Sequence, residues 1–334
     1  MMRPDLSDGR SPSESATKES VLWTKRGGRW CPGQGPIETG LGLSLYKAFP
    51  AAQKVFDDSD KMLGIGLTDI CFNGPTEKLR DTRFIQLATA VTCMAANAAL
   101  LERYPQMEND PSEADAGISL GEFSILPVAK VLPYEVFLPM LAFRASVMHE
   151  IGMQNPGRMA TIVLPREEVL PYTKNLGVEP AILSYRFVTI SGPNKEMDDA
   201  VRFFQGKGAR LTDHVVDYQF HNSNMKPAEE EVKDGISAID FRDTESFLIL
   251  NNNAQATKSG AVIKEFLPKG ITSPVDIVAM IQTAKALGVK VFLGLGPAKG
   301  LMSEFRRGEP ELAASALSIH DGETLNDLDL AFSN

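Results

Sequence analysis

Residues 117–121 have the types and the spacing that could present a serine nucleophile. They read Gly-Ile-Ser-Leu-Gly, and an apolar run follows them. Small glycines permit a tight turn from a strand into a helix, and such a turn projects the hydroxyl of Ser119 from the sheet. The helix N-terminus behind the serine favours a developing negative charge. Alone, this pentapeptide is as consistent with an ordinary turn as with an active site.

An ordered series of short motifs accompanies Ser119. They read CPGQG at 31–35, GEFS at 121–124, FR at 143–144, FHNS at 220–223, MKP at 225–227, NNNA at 251–254, SPV at 273–275 and GLGP at 294–297. This series resembles the malonyl-CoA:acyl-carrier-protein transacylase family and the related acyltransferase domains of polyketide and fatty-acid synthases. The resemblance covers roughly residues 30–307, and several collinear motifs are far more specific than one pentapeptide.

The resemblance implies a catalytic pair and its support. Ser119 matches the family's nucleophile, and His221 matches the histidine that activates it, because a neutral serine needs a base within hydrogen-bond reach. Asn251 matches the position whose backbone carbonyl orients that histidine, a role usually given to a carboxylate in hydrolase triads.

The resemblance also implies how the acyl group is held. The backbone N–H groups of Gln34 and Leu120 would form the oxyanion hole for the tetrahedral intermediate. Arg144 matches the arginine that pairs with the free carboxylate of a malonyl group, which a planar guanidinium grips with two parallel bonds. None of these residues is a metal ligand, and the implied chemistry needs neither a metal nor a redox cofactor.

The implied activity is a ping-pong acyl transfer in fatty-acid or polyketide synthesis. A malonyl group would move from malonyl-CoA through an acyl-serine to the phosphopantetheine thiol of an acyl carrier protein. One alternative is a catalytically impaired homologue that docks acyl carrier protein. Ile118, where the family has a histidine, and polar residues at 24–30 and 111–116, where apolar strands are expected, suggest it. The other alternative is an acyl hydrolase or editing thioesterase, which would result if water reached the acyl-serine.

The elements around these residues fall into regions of different pattern. Residues 41–101 predict helices with breaks at Pro50 and at 73–75, and a second helical stretch at about 120–150 must be divided by Pro127, Pro133 and Pro139. After residue 218, helices alternate with apolar strands near 247–250 and 289–295, which indicates an α/β core with a largely parallel sheet.

Residues 159–217 predict a separate compact unit. They read as a strand at 160–164, a helix from about 166, an alternating run at 181–190, a helix, and a strand at 210–216. If the alternating run folds as two strands, the unit is a split βαβ, ferredoxin-like fold. The resemblance implies an α/β-hydrolase-like core with such a subdomain inserted.

The predicted domains follow from these patterns. We expect a flexible tail at 1–20, a core at 21–152 and 218–307, the ferredoxin-like subdomain at 153–217, and an acidic C-terminal tail at 308–334.

Composition limits the partners. The net charge of −9, from 34 Lys and Arg against 43 Asp and Glu, argues against nucleic acid. Three cysteines without a CxxC pair indicate a reducing compartment, and we expect a cytoplasmic monomer. The longest uncharged stretch, 84–101, holds several polar residues, so we interpret it as a buried helix and predict no membrane association.

Overall fold

The structure is a computed structural model that describes residues 27–35, 38–213, 218–312, 314–325 and 328. The predicted flexible tail at 1–20 therefore lies outside the described residues. Within them the chain forms a mixed α/β fold with two sheets.

A first strand leads into a helical region. The elements are β1 (Gly27–Cys31), α1 (Leu43–Ala48), α2 (Pro50–Leu63), α3 (Leu67–Asn73), α4 (Thr76–Arg80) and α5 (Thr82–Arg103). The predicted breaks are confirmed, because Pro50 opens α2 and the Gly74–Pro75 peptide separates α3 from α4. By length and composition α5 could cross a membrane, but 78% of its most apolar window is buried inside the protein, as predicted for a core helix.

The next region contains β2 (Ala114–Gly117), α6 (Leu120–Val128) and α7 (Tyr134–Gln154). The prediction that three prolines divide this stretch is wrong for two of them. Pro133 does separate the helices, whereas Pro127 lies in the last turn of α6 and Pro139 lies inside α7. Because α7 packs along α5 and α10 (Lys226–Gly235), tertiary contacts outweigh the local cost of an interior proline, which is about 3 kcal/mol.

The described part of residues 159–217 forms strands and helices in the predicted order. Its elements are β3 (Gly157–Val163), α8 (Arg166–Thr173), β4 (Glu179–Leu183), β5 (Val188–Pro193), α9 (Asn194–Gly206) and β6 (Arg210–Asp213). The alternating run does fold as two strands, and the sheet order is β6-β3-β5-β4 with antiparallel pairing throughout. An isolated bridge between Pro156 and Tyr218 closes the unit where the chain leaves and rejoins the rest of the protein.

The chain then completes the larger sheet. The remaining elements are β7 (Phe247–Ile249), β8 (Ala256–Thr257), α11 (Gly260–Phe266), β9 (Val275–Asp276), α12 (Ile277–Ala286), β10 (Val291–Leu295), α13 (Lys299–Gly308) and β11 (Ala316–Ile319). The larger sheet has the order β11-β10-β1-β2-β7-β8, and every pair except β7 with β8 is parallel. The short strand β9 pairs in parallel with β4, so a segment of the core continues the smaller sheet.

The two strands whose polar sequence departs from the family pattern lie in the middle of the larger sheet. Asp115 on β2 is fully buried, and its carboxylate accepts from the Arg29 side chain on β1 at 3.1 Å (Nε) and 2.7 Å (Nη2). The backbone N–H of Arg29 and the hydroxyl of Ser112 donate to the same carboxylate. A buried charge is tolerated when it is paired and hydrogen-bonded, and this pairing explains how the polar strands occupy central positions.

The prediction that the core ends at 307 and that an acidic tail begins at 308 is wrong. Strand β11 pairs with β10, from Phe292 opposite Ala316 to Leu295 opposite Ile319. Leu325 and Leu328 are also buried. The segment after residue 308 is rich in acidic residues, and this composition led the sequence analysis to miss β11, a short strand at the edge of the larger sheet.

Candidate active site

Ser119 occupies a sharp turn between β2 and α6, and we call residues 117–121 the elbow. Its φ of 56° and ψ of −112° lie outside the regions that non-glycine residues usually adopt. A Cβ atom at Gly117 would lie 1.9 Å from the Gly121 carbonyl oxygen, and one at Gly121 would lie 2.1 Å from the Cys31 carbonyl oxygen. The two glycines thus allow β1, β2 and α6 to meet closely enough to expose the serine.

His221 faces Ser119 from the loop that follows the smaller sheet. Its Nε2 lies 2.7 Å from the Ser119 Oγ, and its Nδ1 lies 3.0 Å from the Ser273 carbonyl oxygen. Burial lowers the pKa of the imidazole to about 4, so the ring is neutral near pH 7. With the proton on Nδ1 donated to the Ser273 carbonyl, Nε2 is free to accept the proton of the serine hydroxyl.

The prediction that Asn251 supplies the carbonyl for the histidine is wrong. The oxygen on Nδ1 belongs to Ser273, just before β9. Asn251 lies beyond the end of β7, and its side chain contacts the elbow instead: Oδ1 accepts from the Ser119 N–H at 2.6 Å and Nδ2 donates to the Gly117 carbonyl. The strand that precedes Asn251, β7, neighbours β2 in the sheet, which brings this residue under the serine rather than beside the imidazole.

Gln34 and Leu120 line the same cavity as Ser119. Leu120 begins α6, where backbone N–H groups have no acceptor within the helix. Gln34 lies in the loop after β1, and a Cβ at the neighbouring Gly33 would lie 3.8 Å from the Ser119 Cβ. Both predicted oxyanion-hole residues therefore lie beside the serine.

Arg144 enters the cavity from α7. Its Nη1 donates to Gln86 Oε1, and its guanidinium carbon lies 4.3 Å from the centre of the Phe123 ring. Burial lowers the pKa of the guanidinium to about 9, which still leaves it protonated near pH 7. Its Nε is buried and has no acceptor among the described residues. The guanidinium therefore has a buried N–H donor without an acceptor among the described residues, and Arg144 lines the cavity beside Ser119.

The cavity has a volume of about 710 Å³ and is lined by residues from the regions of both sheets. Ser119, His221 and Arg144 line it, together with Ile182 on β4 and Phe187 in the turn between β4 and β5. A space of this size accommodates a small acyl group and the arm of a thioester.

Residues 30–314 match the family described as the acyl transferase domain. The chain belongs to this family. It is 32% identical over 302 residues to the malonyl CoA-acyl carrier protein transacylase of Bacillus subtilis (strain 168), over 88% of this chain and 93% of that protein. The corresponding enzyme of Haemophilus influenzae is 27% identical over 303 residues, covering 88% of this chain and 95% of that protein. The crystal structure of acyl-carrier-protein-S-malonyltransferase from Bartonella henselae matches with a TM-score of 0.85 at 26% identity, over 92% of this chain and 100% of that one.

The family resemblance drawn from the motifs is therefore confirmed. In this acyl transferase domain, sequence reasoning missed the roles of two residues of the site, Gln86 and Ser273. Gln86 is buried on α5 and holds the Arg144 guanidinium. A polar side chain in an otherwise apolar helix was the available signal for Gln86. Ser273 belongs to the SPV motif of the resemblance, but it contacts His221 through its backbone carbonyl, so its side chain gave no sign of this role.

Proposed function

We propose that this chain transfers malonyl groups from malonyl-CoA to the phosphopantetheine thiol of an acyl carrier protein. The observation that carries the proposal is the shared cavity. A serine hydroxyl 2.7 Å from a neutral imidazole and a guanidinium whose buried Nε has no acceptor among the described residues line one space. The relatives from Bacillus subtilis and Haemophilus influenzae, both named malonyl CoA-acyl carrier protein transacylase, support the same substrate and partner.

The first half of the reaction acylates the enzyme. Ser119 Oγ attacks the thioester carbonyl while its proton passes to His221 Nε2. The backbone N–H groups of Gln34 and Leu120 stabilise the oxyanion. The intermediate collapses by breaking the carbon–sulfur bond, and the imidazolium returns the proton to the departing thiolate of coenzyme A.

The second half runs the same steps in reverse with a different thiol. The phosphopantetheine thiol gives its proton to His221 and attacks the acyl-serine, and Ser119 recovers its proton as the ester bond breaks. Arg144 holds the distal carboxylate throughout, which favours a malonyl over an acetyl group. These steps use malonyl-CoA as substrate and draw on no redox cofactor or metal.

We also infer an α/β-hydrolase-like core with an inserted ferredoxin-like subdomain at 153–217. The order β6-β3-β5-β4 within a βαββαβ unit supports the second part. A serine at the turn between a central parallel strand and a helix supports the first. For the cell we propose a cytoplasmic monomer, and the three buried free cysteines, Cys31, Cys71 and Cys93, support a reducing compartment.

Intact-mass measurement after mixing with malonyl-CoA tests the proposal. We expect one malonyl group on the wild-type protein, none on Ser119→Ala, and transfer of the label when a phosphopantetheine-loaded carrier protein is added. Free malonate released faster than carrier protein is acylated would identify a hydrolase. Carrier-protein binding without any adduct would identify a docking homologue. That alternative was suggested partly by the polar residues where β1 and β2 were expected, and both strands form, with Asp115 paired to Arg29.

A further inference from the structure

We propose that Glu122 and Asn251 are positioning residues that hold the serine in its attacking conformation. We call this pair the elbow strut. The inference rests on the proposed acyl transfer, because it concerns the nucleophile of that reaction. It assigns to Asn251 a different task from the one that the family resemblance suggested.

The Asn251 carboxamide spans the elbow from one side to the other. Its Oδ1 accepts from the Ser119 N–H at 2.6 Å, and its Nδ2 donates to the Gly117 carbonyl. These two backbone groups flank Ile118 and belong to the end of β2 and the start of the turn. One planar amide therefore fixes the distance and the angle between the strand and the serine.

The serine needs such external support. A serine before a helix ordinarily caps the helix with its own hydroxyl, but Ser119 makes no such bond and its hydroxyl lies on His221 instead. Its φ of 56° is also one that non-glycine residues seldom adopt. Strained backbone persists where the surroundings over-determine it, and the Asn251 amide is the group that accepts from the Ser119 N–H.

Glu122 fixes Asn251 in turn. One oxygen of its carboxylate accepts from the Asn251 N–H at 2.8 Å, and the carboxylate is buried on the first turns of α6. The other oxygen faces Gly270, where a Cβ would lie 2.8 Å away. The segment containing Gly270 also supplies the Ile271 carbonyl that accepts from the His221 N–H at 3.1 Å. The strut thus links the elbow to the segment that holds the histidine.

This arrangement predicts an effect on reactivity rather than on substrate binding. Arg144 approaches from α7 and bonds to Gln86, and replacing Asn251 removes neither group. Because the Glu122 charge acts on the Arg144 guanidinium, the Asn251 variant carries this prediction. Loss of the strut lets the Ser119 Oγ leave its 2.7 Å contact with His221. Misplacement of a reacting atom by about 1 Å costs about 100-fold in rate.

The test compares Asn251→Leu, which removes both amide bonds at similar size, with Asn253→Leu. Asn253 belongs to the same tripeptide but is exposed, so it controls for the added apolar group. We expect Asn251→Leu to lower kcat for malonyl transfer by about 100-fold with little change in KM and an unchanged preference for malonyl over acetyl thioester. Labelling of Ser119 by a fluorophosphonate probe should slow by a similar factor, whereas Asn253→Leu should behave as wild type.

A second pair of variants addresses folding and the role of Glu122. Glu122→Gln keeps an oxygen that can accept from the Asn251 N–H, so it should recover most of the rate that Glu122→Leu loses. If Asn251→Leu does not accumulate as folded protein, Asn251→Asp carries the test, because it keeps an acceptor for the Ser119 N–H and removes the donor to Gly117. A folded Asn251 variant with kcat and probe labelling within threefold of wild type would overturn the proposal. The probe needs no acyl-CoA, so a wild-type protein that is labelled but never malonylated refutes the proposed function and leaves the strut testable.

Discussion

Replacing Arg144 by alanine should convert a malonyl-selective site into one that distinguishes poorly between malonyl and acetyl donors. Arg144 is 3% exposed, and the Gln86 amide and the Phe123 ring fix the orientation of its guanidinium. In the variant, a malonyl carboxylate would enter a cavity that has lost its counter-charge. An acetyl group brings no charge and loses little.

The magnitude follows from the burial of the pair. Truncating one partner of a buried, hydrogen-bonded charge pair costs about 2–5 kcal/mol. At 1.36 kcal/mol per tenfold in rate, this lowers kcat/KM for malonyl transfer by about 30-fold to 5,000-fold. For acetyl transfer the change should stay below about tenfold, since less than 1.4 kcal/mol of binding is involved. Arg144→Lys should fall between the two, because it keeps the charge but not the two parallel donors.

The assay is acylation of the enzyme by malonyl-CoA and by acetyl-CoA, followed by rapid quench and intact mass. Arg202→Ala is a matched control, because this arginine is exposed on α9, pairs with Asp199 and does not line the cavity. Equal losses on both donors would refute the reasoning, since they would show that Arg144 supports the site without contacting the carboxylate.

Four further outcomes follow from the geometry. Because burial lowers the pKa of His221 to about 4, the acylation rate should be nearly constant from pH 8 to about pH 5 in stopped-flow measurements; a midpoint between pH 6 and 7 would contradict it. The same shift makes His221 destabilise the fold as pH falls from 6.5 towards 4, because only the unfolded chain then binds the proton. In urea titrations, the free energy of unfolding should fall more steeply over this pH range in the wild type than in the Ser119→Ala, His221→Ala double variant. Asp115→Ala should lower the free energy of unfolding by about 3–5 kcal/mol, since it leaves the Arg29 charge unpaired, whereas Asp198→Ala on the exposed Arg158 pair should change it by less than about 1 kcal/mol. Gly121→Ala should abolish probe labelling of Ser119 and lower the melting temperature, because its Cβ would meet the Cys31 carbonyl at 2.1 Å; normal labelling would show that the elbow is more adaptable than its packing indicates.

Local pattern was sufficient for the elements that have one strong signal. The alternating run at 181–190 indicated strand structure and left open whether it forms one strand or two, and β4 and β5 pair across it. The glycines around Ser119 predicted a strand-to-helix turn, and the elbow joins β2 to α6. These features depend on residues that are neighbours in the chain, so the sequence contains the information directly.

Features that depend on distant partners could not be predicted in the same way. In the sequence, Asp115 argues against a buried strand at β2. Its partner Arg29 is 86 positions away in the chain and lies beside it only in the folded protein. The carbonyl that orients His221 comes from Ser273, 52 positions away, through a backbone atom that any residue possesses. Strand β11 was hidden because its apolar residues are few and acidic neighbours dominate the composition.

The proposed catalytic pair shows why the exact conformation of the chain matters more than the residue types. Both Ser119 and His221 have positive φ angles, 56° and 55°, which non-glycine residues adopt at a cost. In each case the backbone N–H is held by a neighbour: Asn251 accepts from the serine and the Ile271 carbonyl accepts from the histidine. Because Glu122 contacts Asn251 and faces the segment before Ile271, the two strained residues share one buried support. The 2.7 Å contact between hydroxyl and imidazole is therefore a property of this support, and a sequence that kept the serine and the histidine but lost it would keep the motif without the reactivity.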